Sequence, residues 1–189
     1  IEQSAHFDCK SKINEPKRFL KSINYFLNKE GVALLKIKKK NNNFHSRFSA
    51  KMRIYKYIII NRFGGPVLEK NRGWHVMKEL DVKLMKKGAK RFIGTRDFST
   101  FRASTCRAKS PVKTMKLVKV KSSKNIIEIE FRSQSFLQQQ VRSMVGCLKY
   151  LGEKKWSLKK FDSVIKSKKR ILCAPPAPPE GLYLKRVIY

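Results

Sequence analysis

NIIEIEFRSQSFLQQQVRSMVGCLKYLG, residues 125–152, changes its period partway along. NIIEIEFRS alternates as a strand does, two residues per repeat. From Phe136 the apolar positions become Phe136, Leu137, Val141, Met144, Val145, Leu148 and Leu151, spaced by three and four as on one side of a helix ending near Gly152. Two residues disturb that helix. Gln140 falls inside its apolar arc, and Arg142 sits roughly opposite. Immediately upstream, PVKTMKLVKVKSS (residues 111–123) reads as a second strand, joined to the first near Ser122 to Asn125 as a hairpin.

Working outward, Ser157 is a good N-cap for a further helix carrying Leu158, Phe161, Val164 and Ile165 on one side. PPAPP, from Pro175, forms an extended loop because proline cannot lie in a helix interior. GLYLKRVIY is a terminal strand. Upstream, GTRDFSTFRAS is a polar loop, and Leu80-Asp81 opens a helix with Val82, Leu84, Met85 and Ala89 on its apolar side. RFSAKMRIYKYIII, from Arg47, reads as one long strand, followed by a turn at Gly64-Gly65-Pro66. VALLKIKKK, from Val32, reads as another strand. Glu15-Pro16 starts a helix with Phe19, Ile23, Phe26 and Leu27 on one face, stopped by Gly31. QSAHFDCK alternates like a strand already under way. The fold class that follows is α+β: a mostly antiparallel mixed sheet with helices packed on it. With no internal repeat and no long linker, residues 1–189 are expected to form a single region.

The 189 residues are 41% hydrophobic, enough for a core. No apolar run approaches the roughly 18 residues of a membrane span, and from the opening residues no secretory signal is expected. Lys and Arg number 45 against 13 Asp and Glu, a net charge of +32. Such self-repulsion is normally met by a polyanionic partner. Because the basic residues run through the whole chain, a folded nucleic-acid-binding surface is expected rather than a basic tail. The abundance of Lys, Ile and Asn also fits compositional drift. Cys9, Cys106, Cys147 and Cys173 form no C-x-x-C pair, so no metal site is indicated and free thiols in a reducing, cytoplasmic compartment are expected. His6, His45 and His75 are far apart and suit packing or hydrogen bonding.

No G-x-S-x-G, Walker A or G-x-G-x-x-G stretch occurs. Asp81 and Asp162 lie at helix starts. Asp97, in an Arg-rich loop, is the one suggestive carboxylate, with pairing to Arg96 or Arg102 as its simpler use. RIYKY and RDFSTFRAS combine cations with aromatics, as RNA sites do. An ordinary strand and an ordinary loop with anchoring phenylalanines share that composition, so both readings stand.

Five stretches together resemble the TruA family of tRNA pseudouridine synthases, in order: HFD near the start, FHSRFSAKMRIYKYIIIN, GTRDFSTFRAS, SFLQQQVRSMVG and APPAPPEGLYLKRVIY. The resemblance implies the pseudouridine synthase fold, truncated at the amino terminus. It implies a cofactor-free isomerase that converts uridine to pseudouridine in the tRNA anticodon stem-loop, at nucleotide positions 38 to 40, and that acts as a homodimer. An aspartate of that family attacks an extruded nucleotide. By the same resemblance, Tyr55 stacks on the target base and helps remove the proton from the newly bonded carbon. Arg142 pairs with the catalytic aspartate, and Leu182 walls the pocket. Arg102, Arg47, Lys51, Arg53, Arg107 and Lys109 contact RNA. The family's nucleophilic aspartate sits in G-R-T-D-x-G-V-H, ahead of the segment matching QSAHFD, and no aspartate of this chain matches that motif. The chain is therefore expected to be the carboxy-terminal part of an enzyme. A non-catalytic RNA-binding remnant of the same fold is the alternative, and a DNA-binding or ribosomal structural protein leaves the ordered motifs unexplained. Gln138-Gln139-Gln140 stand where many members carry histidines.

Overall fold

Residues 2–189 are described by a computed structural model. They divide into two compact units, one of residues 4–49 and one of Ala50–Tyr189 with Glu2 and Gln3.

In the smaller unit, Pro16 in the first turn starts helix α1 (Pro16–Leu27). Gly31, at φ 70°, ends the short 3₁₀ turn that follows. The strand expected from Val32 is extended chain without a ladder. The Asn24 side chain takes the place of a neighbouring strand there: Leu34 N–H donates to Asn24 Oδ1 at 2.7 Å, and Asn24 Nδ2 donates to the Leu34 carbonyl at 2.9 Å. QSAHFDCK likewise forms no strand. The expected start at Arg47 is also corrected. His45 Nδ1 accepts from Arg47 N–H at 3.1 Å and Ser49 N–H reaches the His45 carbonyl at 2.8 Å, so this stretch is a turn.

In the larger unit, the isoleucine-rich run folds as β1 (Met52–Asn61). β2 (Trp74–Val76), too short to announce itself in the sequence, lies parallel to the end of β1. Asp81 caps α2 (Val82–Lys90), its Oδ1 accepting from Leu84 N–H at 2.9 Å. The stretch expected as a wholly polar loop begins as β3 (Gly94–Asp97), paired antiparallel to β4 (Val112–Ser123). β4 turns at Lys124 and Asn125 into β5 (Ile126–Ser133). Then come α3 (Gln140–Gly152), α4 (Leu158–Ser167), capped by the Ser157 hydroxyl, and β6 (Leu182–Ile188).

The sheet order is β2-β1-β5-β4-β3, with β6 also paired to β1. All pairs are antiparallel except β1 with β2. β6 runs beside Met52–Tyr57 and β2 beside Ile59–Asn61, so the two strands share one edge of β1. One face of the sheet (Tyr57, Ile59, Phe131, Ile129, Ile127, Val118 and Val120) meets Met85 and Ala89 of α2 and Met144, Leu148 and Leu151 of α3 in a single core. The other face is charged. Glu130 there pairs with Arg132 and Lys185, each at 2.6 Å, and Glu128 pairs with Lys56 at 2.9 Å. Among the described residues no helix is long and apolar enough to cross a membrane.

Candidate active site

Residues two apart on a strand share a face, so Tyr55 and Tyr57 both turn toward the helices. Tyr55 is half-buried, its ring edge-to-face with Phe136 at 5.0 Å. Tyr57 is fully buried, and its hydroxyl donates to the Pro178 carbonyl at 2.6 Å. Across the β1–β6 ladder Tyr57 pairs with Leu182 and Tyr55 with Leu184. Gly181 lies so close that an added Cβ would sit 2.7 Å from the Tyr57 ring. Leu182 is thereby drawn in beside the tyrosines and packs partly buried against the core.

Arg142 comes to the same place from α3. Its Nε–H donates to the Ala177 carbonyl at 2.6 Å, and its own carbonyl accepts from Ala177 N–H at 3.0 Å. Two neighbouring carbonyls, Ala177 and Pro178, thus hold Arg142 and Tyr57. A guanidinium fixed through Nε keeps a two-pronged Nη edge, which suits a carboxylate.

Electrostatics follow from this packing. Burial pushes the Tyr55 hydroxyl above the ordinary phenol value, against the pull of Arg53. Burial raises the Tyr57 hydroxyl strongly, with Arg142 opposing and Glu180 adding to the rise. Both phenols are neutral at physiological pH.

Helix α3 begins four residues later than the periodicity from Phe136 suggests. Gln139 has a left-handed backbone, φ 62°, which interrupts the helix ahead of Gln140. Gln140 is fully buried because its side chain closes that break, Oε1 accepting from Leu137 N–H at 2.8 Å. The bend frees Phe136 to meet Tyr55. It also lets the Gln138 carbonyl accept from Ala103 N–H at 3.1 Å, tying the bend to the loop after β3.

In that loop Arg102 donates from Nη2 to the carbonyls of Cys106 and Ala108, at 2.6 and 2.8 Å, bracing the segment that carries exposed Arg107 and Lys109. Arg53 donates from Nη1 to the Gln134 carbonyl at 2.5 Å. Lys51 is exposed at the entry to β1, and Arg47 belongs to the smaller unit, its guanidinium 5.6 Å from the exposed Phe48 ring. Asp97 pairs with neither Arg96 nor Arg102. Its carboxylate accepts from Ser99 N–H at 2.8 Å and lies 3.7 Å from Lys168, and the Ser99 bond holds it below its ordinary value.

The structure therefore brings Tyr55, Leu182 and Arg142 to one region. Tyr57 and the bend at Gln139 were not among the residues expected at the site. The i, i+2 spacing of the two tyrosines was a signal for the first, and Gln140 inside the apolar arc was a signal for the second.

A family model described as tRNA pseudouridine synthase matches residues 89–189. The tRNA pseudouridine synthase A of Pelagibacter ubique strain HTCC1062 is 68% identical over all 189 residues, which cover 77% of that protein. The protein of the same description from Parvibaculum lavamentivorans is 39% identical over 189 residues, 76% of its length. That from Caulobacter vibrioides strain NA1000 is 40% identical over 168 residues, 89% of this chain and 68% of the relative.

Proposed function

The chain belongs to the tRNA pseudouridine synthase A family, and from that premise we propose that it isomerises uridines at positions 38 to 40 of the tRNA anticodon stem-loop, with Tyr55, Leu182 and Arg142 lining the site. The observation that carries this reading is the anchoring of Arg142 and Tyr57 on consecutive carbonyls beside Tyr55. The Arg142 cation acts on Tyr57, and Tyr55 follows two residues away on the same face of β1.

An extruded uracil stacks on Tyr55 against the wall of Leu182, which offsets part of the few kcal/mol spent on unstacking it. Arg142 holds the nucleophilic aspartate ionised and aimed. The bond from N1 to C1′ breaks, the base turns, and C5 bonds to C1′. Tyr55 then assists loss of the C5 proton. Uridine and pseudouridine are isomers, so the reaction balances without oxidant, reductant or group donor.

Three of the chain's four aspartates have other places: Asp81 caps α2, Asp97 caps the Ser99 turn, and Asp162 lies 3.5 Å from Arg91. By the family resemblance the nucleophile is the aspartate of a G-R-T-D segment, which none of these carboxylates matches. Arg47, Lys51, Arg53, Arg102, Arg107 and Lys109 bind the phosphates, residues 1–189 act as one synthase region, and the working enzyme is a cytoplasmic homodimer.

The test is pseudouridine formation in an anticodon stem-loop by the full protein. Arg142→Ala and Tyr55→Ala should each cut turnover by about 10²-fold or more while tRNA binding, carried by phosphate contacts, largely survives. Undiminished turnover in both variants overturns the assignment.

A further inference from the structure

Cys147 and Cys173 are 26 positions apart in sequence, yet their sulfurs lie 3.5 Å apart. Cys147 is on the buried side of α3, one turn beyond Ser143, and is 1% exposed. Cys173 follows the short 3₁₀ turn Arg170–Leu172 and is partly exposed. Its sulfur lies 4.0 Å from the Ser143 carbonyl, and Arg170 reaches the Ser143 hydroxyl at 3.0 Å. A disulfide needs the sulfurs at about 2.05 Å, so closure must bring these two sulfurs, already in contact, closer still.

We propose that Cys147 and Cys173 form a reversible disulfide in response to a small-molecule disulfide such as oxidised glutathione. This clamps the 173–178 segment onto α3. The roles within the pair are unequal. The hydrogen bond from Cys147, with the Arg170 charge, lowers the Cys173 thiol and favours its thiolate, while the same contact and burial raise Cys147. Cys173, reachable from solvent, attacks one sulfur of oxidised glutathione and expels a glutathione thiolate. Cys147 then attacks the Cys173 sulfur and expels the second. Two protein thiols are oxidised, one glutathione disulfide is reduced to two glutathiones, and the two thiol protons leave with them.

The clamp has a consequence for the site. The segment it fixes carries the Ala177 and Pro178 carbonyls that hold Arg142 and Tyr57. The reading of the chemistry at that site is not needed for the disulfide itself.

The protein is incubated with oxidised glutathione under native conditions, alkylated, digested and mapped by mass spectrometry, and its melting temperature is measured in parallel. The expected map shows one Cys147–Cys173 linked peptide with Cys9 and Cys106 alkylated. The melting temperature should rise by about 5 °C and return on adding dithiothreitol, and Cys173→Ser should show neither effect. Four alkylated cysteines, a lasting glutathione adduct on Cys173 with Cys147 still alkylated, or a link without a rise in melting temperature would each overturn the proposal.

Discussion

The hydroxyl of Tyr57 and the Nε–H of Arg142 hold neighbouring carbonyls, so a change at one is felt at the other. Tyr57→Phe keeps the ring in the core and removes only the hydroxyl. Leaving the Pro178 carbonyl without its partner should cost about 1–2 kcal/mol, measured as a lower urea midpoint with an unchanged slope. Glu153 makes a different kind of prediction. It caps the end of α3, 7% exposed, with Lys149 at 2.7 Å and Lys155 at 3.1 Å. Burial pushes its carboxyl up, but the hydrogen bonds and charges of the two lysines outweigh that and hold it below the ordinary value. A carboxyl lowered on folding stabilises fully above its unfolded pKa of about 4.3, and that contribution disappears as pH falls through the folded value. Between about pH 5 and pH 3, wild-type stability should therefore drop more steeply than that of Glu153→Gln, as read from denaturation midpoints at each pH.

At the scale of elements, the close approaches are where sequence changes tell most. Gly146 of α3 packs against the extended segment after Cys173, and a Cβ there would collide with the Pro175 carbonyl, a backbone atom with little room to move. Gly146→Ala should destabilise by about 1–3 kcal/mol, and should lower activity as well, because it pushes away the segment holding Arg142. A melting curve and a turnover assay on the same sample check both. The same scale explains what could be read from residues alone. α2 and α4 were legible because Asp81 and Ser157 are caps that act locally, and the β4–β5 hairpin because both strands alternate against one core. The stretch from Val32 has strand composition, but a strand exists only with a partner, and Asn24 answers its backbone instead. β2 is only three residues long and is fixed by the neighbouring end of β1. The bend before α3 depends on a buried glutamine bonding its own backbone, a contact that periodicity reads as an error in the helix. At the site, the resemblance carried Tyr55, Arg142 and Leu182, whereas Tyr57 needed the position of Pro178.

For the whole molecule, the charge of +32 sets how it meets RNA. Each phosphate contact contributes roughly −0.7 to −0.9 to the slope of log affinity against log salt. Replacing exposed Arg107 and Lys109 together by Ala should make that slope shallower by about one to two and weaken tRNA binding at low salt, with the melting temperature little changed. Filter binding across a salt series measures it. Unchanged slopes would move the RNA away from the loop after β3.

β1 shares its outer edge between β2, which follows closely in the chain, and β6, which follows some 120 residues later. During synthesis the half of β1 bearing Tyr55 therefore emerges from the ribosome long before Leu182–Ile188 exist. At ordinary elongation rates the delay is on the order of ten seconds. Through that interval the nascent chain presents the unpaired edge of Met52–Tyr57, the kind of edge that invites pairing with other unfinished chains. The strand that completes this edge is also the one that brings Leu182 into place, so a nascent chain released before β6 is made has an open sheet and an unfinished site.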